Sequence, residues 1–213
     1  MKVILFGSTG MVGQGVLREC LRDPNVTEVL AVVRSATGQQ HAKLREIVHK
    51  DFTDFSTLQL DGDACFWCLG VSSAGMKEAD YARITYDFTI AAAKVLARPT
   101  MTFIFVSGSG ADGSAMWARV KRKTEVALLA MPFKRVYVFR PGLIQPLHGI
   151  RSRTRLYNVL YPLLYPLMLV AKLVVPKYIT DTERVGKAML HIARQGYPKQ
   201  VLENPDINAA AES

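Results

Sequence analysis

The sequence predicts an α/β fold of three layers: a central parallel sheet, helices on both faces, and a small helical region towards the C-terminal end. Three observations carry this. Apolar runs of strand length at 2–6, 28–33, 63–69, 101–106 and 135–139 alternate with segments of helical pattern. Strands that are apolar at nearly every position are buried on both faces, and their alternation with helices makes a parallel sheet. The chain, 213 residues and 49% hydrophobic, can bury a full core as one domain. The first run, Lys2-Val3-Ile4-Leu5-Phe6, also enters a glycine-rich turn directly, Gly7-Ser8-Thr9-Gly10-Met11-Val12-Gly13.

The elements follow in order. A helix over 11–22 comes after the turn and is ended by Asp23-Pro24-Asn25. The strand 28–33 closes at Arg34-Ser35, and a polar, loop-like stretch leads to a short strand at 46–49. After the strand 63–69 a helix is predicted over 78–97, with Pro99 as its break. The strand 101–106 is followed by a helix over 115–130 that stops before Pro132, then by the strand 135–139. Arg140-Pro141-Gly142 closes the sheet, so that 1–140 is read as the core and 141–213 as substrate-side and C-terminal elements of the same domain. A last helix spans 181–195, with Thr180 or Asp181 as its cap and Glu183 in its first turn, and Ile207 to Ser213 reads as a frayed tail.

A strand, Gly-x-x-Gly-x-x-Gly and a helix are the order of a Rossmann dinucleotide-binding unit. Gly7 permits the tight turn, Gly10 lets backbone approach a pyrophosphate, and Gly13 lets the helix pack closely. Backbone N–H groups of the turn and first helical residues, Ser8, Thr9, Met11 and Val12 among them, then face the phosphates. Cofactor choice is read at the end of the second strand, where a carboxylate would bond the ribose hydroxyls. Arg34 stands there instead, and a guanidinium holds a 2′-phosphate, so NADP(H) is favoured, with NAD(H) as the alternative. Asp51 and Phe52 flank the adenine in this reading, or are an ordinary turn Asp beside a core Phe. Cys68, Leu69 and Gly70 lie along the cofactor, or Gly70 is a turn residue.

Beyond the strand 101–106 come Ser107-Gly108-Ser109-Gly110-Ala111-Asp112 and then Trp117-Ala118-Arg119-Val120-Lys121. Together with the glycine turn, Arg34, Cys68-Leu69-Gly70 and Arg140-Pro141-Gly142, these pieces cover residues 1–150 in order. The chain resembles a short-chain dehydrogenase/reductase of the atypical kind. It is similar to the Tat-interacting oxidoreductase-like proteins, with neighbours among nucleotide-sugar epimerases and flavin-reductase-like proteins. The resemblance implies a catalytic Tyr four residues before a Lys, with Lys121 on the nicotinamide ribose and Ser107 or Ser109 on the substrate oxygen. The place of the Tyr is held by Trp117, whose indole N–H donates a hydrogen bond but does not titrate near neutral pH. Tyr81, Tyr86, Tyr157, Tyr161, Tyr165 and His148 are the candidates to replace it.

Three functions therefore stand side by side. One is hydride transfer from the nicotinamide to a small or lipophilic carbonyl- or quinone-like acceptor. The second is a catalytically degenerate cofactor-binding sensor or interaction protein. The third is a nucleotide-sugar epimerase-like activity. The net charge of +9 suits a phosphorylated cofactor or an anionic membrane, while no aromatic-interleaved basic platform or zinc-finger spacing supports nucleic acid. Cys20, Cys65 and Cys68 make no disulfide framework or metal set. The apolar stretch 156–176 follows Arg151, Arg153 and Arg155 and holds Lys172 as its one charge. It is read as a pocket wall or homodimer face, as a segment touching an inner membrane surface, or as a membrane span, the last disfavoured by Pro162 and Pro166. Without a signal-peptide pattern, the expected compartment is the cytoplasm.

Overall fold

In the computed structural model, which describes residues 1–150 and 178–213, the first apolar run forms β1 (Lys2–Phe6), and the glycine turn passes it to α1 (Met11–Arg22). Then come β2 (Glu28–Val33), β3 (Leu44–Val48), β4 (Ala64–Trp67) and a long helical segment. That segment is α2 (Glu78–Ala82), a π-helical turn Arg83–Asp87 and α3 (Phe88–Leu96). β5 (Thr102–Val106), α4 (Met116–Leu129) and β6 (Arg135–Arg140) complete the predicted alternation. β7 (Leu143–Gln145), β8 (Ile179–Asp181), α5 (Thr182–Gln195), β9 (Val201–Glu203) and α6 (Asn204–Ala211) follow.

Seven strands make one parallel sheet in the order β3-β2-β1-β4-β5-β6-β9, and β7 and β8 pair separately. β1 lies between β2 and β4, so the chain crosses from one half of the sheet to the other at this point. In a doubly wound sheet this crossing leaves a crevice at the carboxyl ends of the strands. Side chains alternate across β1. Val3 and Leu5 join a core built with α1, α5 and α6, while Ile4 and Phe6 join an aromatic-rich core built with α3 and α4. The three-layer Rossmann architecture is the one the apolar runs predict.

On the first face α1 and α5 approach with little between them. A Cβ on Gly15 would lie 2.5 Å from the Thr182 Cβ, and one on Gly186 would lie 2.7 Å from the Glu19 Cγ. Of the two candidate caps of α5, Asp181 does the capping, accepting the Arg184 N–H at 2.8 Å.

Four local differences have physical reasons. The predicted helix 78–97 is interrupted by the π-helical turn, where the Thr85 carbonyl accepts the Thr89 hydroxyl at 2.7 Å and the Thr124 hydroxyl at 3.5 Å. The strand expected at 63–69 is assigned only over Ala64–Trp67, because beyond Cys68, whose N–H donates to the Phe6 carbonyl at 3.0 Å, the chain leaves the ladder at the crevice. The edge strand expected at 46–49 starts at Leu44, which is in register with Val29. The expected frayed tail is instead α6. Its first turn is closed by reciprocal bonds between Glu203 and Asp206, and Ile207 and Ala210 are buried. The stretch 156–176 lies outside the described residues. Among those described, no helix is long and apolar enough to cross a membrane.

Candidate functional site

The crevice at the carboxyl ends of β1, β4 and β5 is a cleft of about 770 Å³. It runs from the glycine turn to Lys121 and Trp117 on α4. The turn can be built only with glycine at two places. Gly7 has φ +79°, and a Cβ on it would lie 2.6 Å from the Leu69 N. A Cβ on Gly13 would lie 2.0 Å from the Gly7 carbonyl oxygen, so Gly13 seats α1 against the turn. At Gly10 a Cβ would meet only the Gly7 oxygen, at 3.4 Å, and this leaves room above the backbone. Beside it Ser8 Oγ is buried and has no hydrogen-bond partner among the described residues. An open backbone cradle and an orphan hydroxyl at the start of a helix fit a phosphate group. The residues present therefore fit the pyrophosphate of a dinucleotide.

The cleft brings together most of the predicted site residues. Gly7 through Val12, Arg34, Phe52, Cys68, Leu69, Gly70, Ser107, Trp117 and Lys121 all line it. Gly13, Asp51 and Ser109 do not. Gly13 sits behind the turn. The Asp51 carboxylate accepts the Thr53 N–H at 2.9 Å and the Thr53 hydroxyl, and these bonds hold it below the usual carboxylate range. Ser109 donates its N–H to the Pro141 carbonyl at 2.9 Å, a turn-stabilising contact. Arg34 is exposed at the end of β2 and makes no ion pair among the described residues. The loop beyond it is fastened to β3, where Glu46 accepts both the N–H and the hydroxyl of Thr37.

At the other end Lys121 is buried. Its Nζ donates to the Val106 carbonyl at 2.8 Å and lies 4.8 Å from the centre of the Phe105 ring. Burial pushes its ammonium down to about 8, with Glu125 working in the opposite direction. The Trp117 indole covers the Gly108–Gly110 turn, since Cβ atoms there would stand 3.8 and 3.6 Å from its six-membered ring. Of the described candidates for the place of the Tyr that the resemblance implies, Tyr81 lines the cleft, and burial pushes its phenol up. Tyr86 lies under Lys123, whose Nζ is 4.1 Å from the ring centre, and His148 is bonded to Glu183 at 2.6 Å. Tyr157, Tyr161 and Tyr165 lie outside the described residues.

Sequence reasoning missed the group behind Ser107. The Ser107 hydroxyl donates to Glu125, and Arg140 grips the same carboxylate with Nε at 3.2 Å and Nη2 at 2.6 Å. Arg140 also reaches Asp112 at 2.6 Å and Glu203 at 3.3 Å. Glu125 and Arg140 are both buried, and Glu125 raises the Arg140 guanidinium further. A spacing signal existed. Trp117, Lys121 and Glu125 recur every four residues and so share one helix face. The cysteines are free thiols that burial pushes up, and among the described residues no group of His, Cys, Asp and Glu could hold a metal ion.

The fold is shared widely. An oxidoreductase of the short-chain dehydrogenase/reductase family from Burkholderia thailandensis superposes with a TM-score of 0.71 at 14% identity, covering 98% of this chain and 92% of that one. The UDP-glucuronic acid 4-epimerase of Bacillus cereus, solved in complex with NAD, superposes at 0.68 and 14% identity, covering 95% and 76%. At that identity these likenesses show the Rossmann fold and nothing finer. No family model matches the chain. In sequence, the protein fmp52 of Emericella nidulans is 32% identical over 166 residues, 72% of this chain and 70% of the relative. It and seven further relatives, that of Saccharomyces cerevisiae among them, are named as mitochondrial proteins. That overturns the cytoplasmic expectation, which rested only on the lack of a signal-peptide pattern, and such a pattern reports on secretion alone. The likeness to the Emericella nidulans protein extends over more than two thirds of both chains, and on it the chain belongs to the fmp52 family.

Proposed function

We propose that the protein binds NADP(H) along the cleft and works on a small substrate lying against Trp117. A single observation carries this. One continuous cleft joins the phosphate cradle at Gly7–Val12 and the cation Arg34 to Ser107, Trp117 and Lys121. When bound, the nicotinamide supplies or takes up hydride. The chain's own residues do the rest. Arg34 meets a 2′-phosphate, Ser8 and the turn backbone meet the pyrophosphate, and Lys121 holds the ribose. Among the described residues Tyr81 is the cleft-lining phenol that moves a proton, since Trp117 does not titrate. The fmp52 relatives support a mitochondrial setting for this activity.

A titration with NADPH and NADH, followed by NADPH oxidation with aldehydes, quinones and flavins, tests the reading. Failure to bind either nucleotide sinks it. Binding without turnover favours a sensor. A second reading has its own support: Trp117 offers a flat apolar face at the substrate end, and several structural neighbours act on nucleotide sugars. In an epimerase-like protein the nucleotide stays bound and a nucleotide sugar is isomerised without net NADPH oxidation.

Arg34→Glu is expected to weaken NADPH by roughly 10- to 100-fold, the worth of a charge-assisted contact, and NADH by far less. Equal losses would defeat the account of cofactor choice. Lys121 gives a pH dependence. Its ammonium is charged below about 8 and neutral above, so affinity for the anionic nucleotide falls as pH rises through that value. Fluorescence titrations from pH 6.5 to 9.5 check this, and Lys121→Met should flatten the curve. Stability has the opposite slope. The native lysine sits below its ordinary 10.5, so between about 8 and 10.5 the unfolded chain binds more protons and stability rises with pH.

A further inference from the structure

We propose that Ser107 faces the cleft as a hydrogen-bond acceptor, its own proton held by Glu125, so that the substrate group seated on it is a donor, namely a hydroxyl. The inference rests on the cleft being the ligand site. It departs from the expectation that a serine at this place gives its proton to a substrate carbonyl.

A serine hydroxyl has one proton and two lone pairs, and an ionised carboxylate has acceptors only. Glu125 is gripped through both oxygens by Arg140, in a pair buried on both sides. The contact between Ser107 Oγ and Glu125 Oε1 therefore uses the serine's proton. The other groups near Ser107 do not release it. Lys121 Nζ donates to the Val106 carbonyl, and the Ser107 N–H donates to the Phe139 carbonyl at 2.7 Å. What Ser107 shows the cleft is lone pairs. A bare carbonyl placed against them would be acceptor facing acceptor, whereas a hydroxyl completes the chain ligand–Ser107–Glu125–Arg140. Such a chain is held at its far end, because Arg140 is anchored by Asp112 and Glu203 as well.

The donor requirement narrows the substrate class. Tyr81 is a donor and serves the reacting oxygen, so the hydroxyl on Ser107 belongs to a neighbouring position, as in a hydroxy-carbonyl compound or a sugar. Glu125 and Arg140 are positioning residues in this scheme, acting only through Ser107.

The test uses the full chain loaded with NADPH and two matched probes, acetophenone and 2-hydroxyacetophenone, which differ by one hydroxyl. NADPH affinity is measured first. Its absence overturns the cofactor reading on which this one stands, and it is scored separately. In the loaded protein, 2-hydroxyacetophenone is expected to bind about tenfold more tightly, the worth of one good hydrogen bond. Ser107→Ala should erase that advantage, and Ser107→Thr, which keeps the hydroxyl, should retain it. Glu125→Gln supplies an amide donor to Ser107, returns the serine proton to the cleft, and should shift preference towards acetophenone. Should that variant fail to fold, the Ala and Thr pair still decides. Equal binding of the two probes, binding of neither, or an advantage that survives Ser107→Ala overturns the proposal.

Discussion

Arg140→Met is expected to destabilise the protein by about 3–5 kcal/mol, the range seen when one partner of a buried ion pair is removed. Arg140 is 7% exposed and Glu125 2%, so water cannot take over the lost contacts. The buried carboxylate on α4 would keep, among the described residues, the Ser107 hydroxyl as its hydrogen-bond donor. Urea denaturation followed by circular dichroism reads the effect as a lower midpoint at unchanged slope. The double variant Arg140→Met with Glu125→Met should recover most of the loss, because the cost arises from the charge left behind and not from the pair's net worth. A single variant within 1 kcal/mol of the parent would mean that the pair is more hydrated than its burial implies.

Gly13→Ala should do the second largest damage, to both stability and nucleotide binding. Its Cβ would lie 2.0 Å from the Gly7 oxygen and 2.6 Å from the Gly7 carbonyl carbon. These are backbone atoms, so relief requires α1 to move off the turn. Overpacking of this kind costs about 1–3 kcal/mol, and the displaced helix start no longer aims its N–H groups at the cradle. Thermal melting and NADPH titration should both register the change. Gly10→Ala is the control for stability, since its Cβ meets nothing nearer than 3.4 Å. It should fold normally while crowding the cradle. Equal melting temperatures for parent and Gly13→Ala would overturn this account of the turn.

Much of the molecule could be read from local signals. The buried strands declare themselves because each is apolar at nearly every interior position, and β1, β2, β5 and β6 fall within a residue of expectation. The glycine turn is legible because backbone geometry at Gly7 and Gly13 excludes any side chain. The cap of α5 is legible because an Asp beside the first helical N–H groups satisfies them locally. Asp51 shows the limit of such reading. Its position after β3 points to the adenine, yet Thr53, two residues away, captures the carboxylate. α6 shows the same limit from the other side. A short, nearly uncharged end reads as a frayed tail until Ile207 and Ala210 find a core to enter.

The sequence by itself determined the fold class, the glycine turn after β1 and the Trp at position 117, because each depends on residues close together in the chain. Only the tertiary structure decided the strand order, the placing of the Tyr81 phenol on the cleft wall, and the buried chain from Ser107 through Glu125 to Arg140. Glu125 lies 18 residues from Ser107 and 15 from Arg140, and the three meet because β5, α4 and β6 converge at one edge of the crevice. Whether a serine gives or takes a proton depends on that neighbour, and no local pattern in the chain records it.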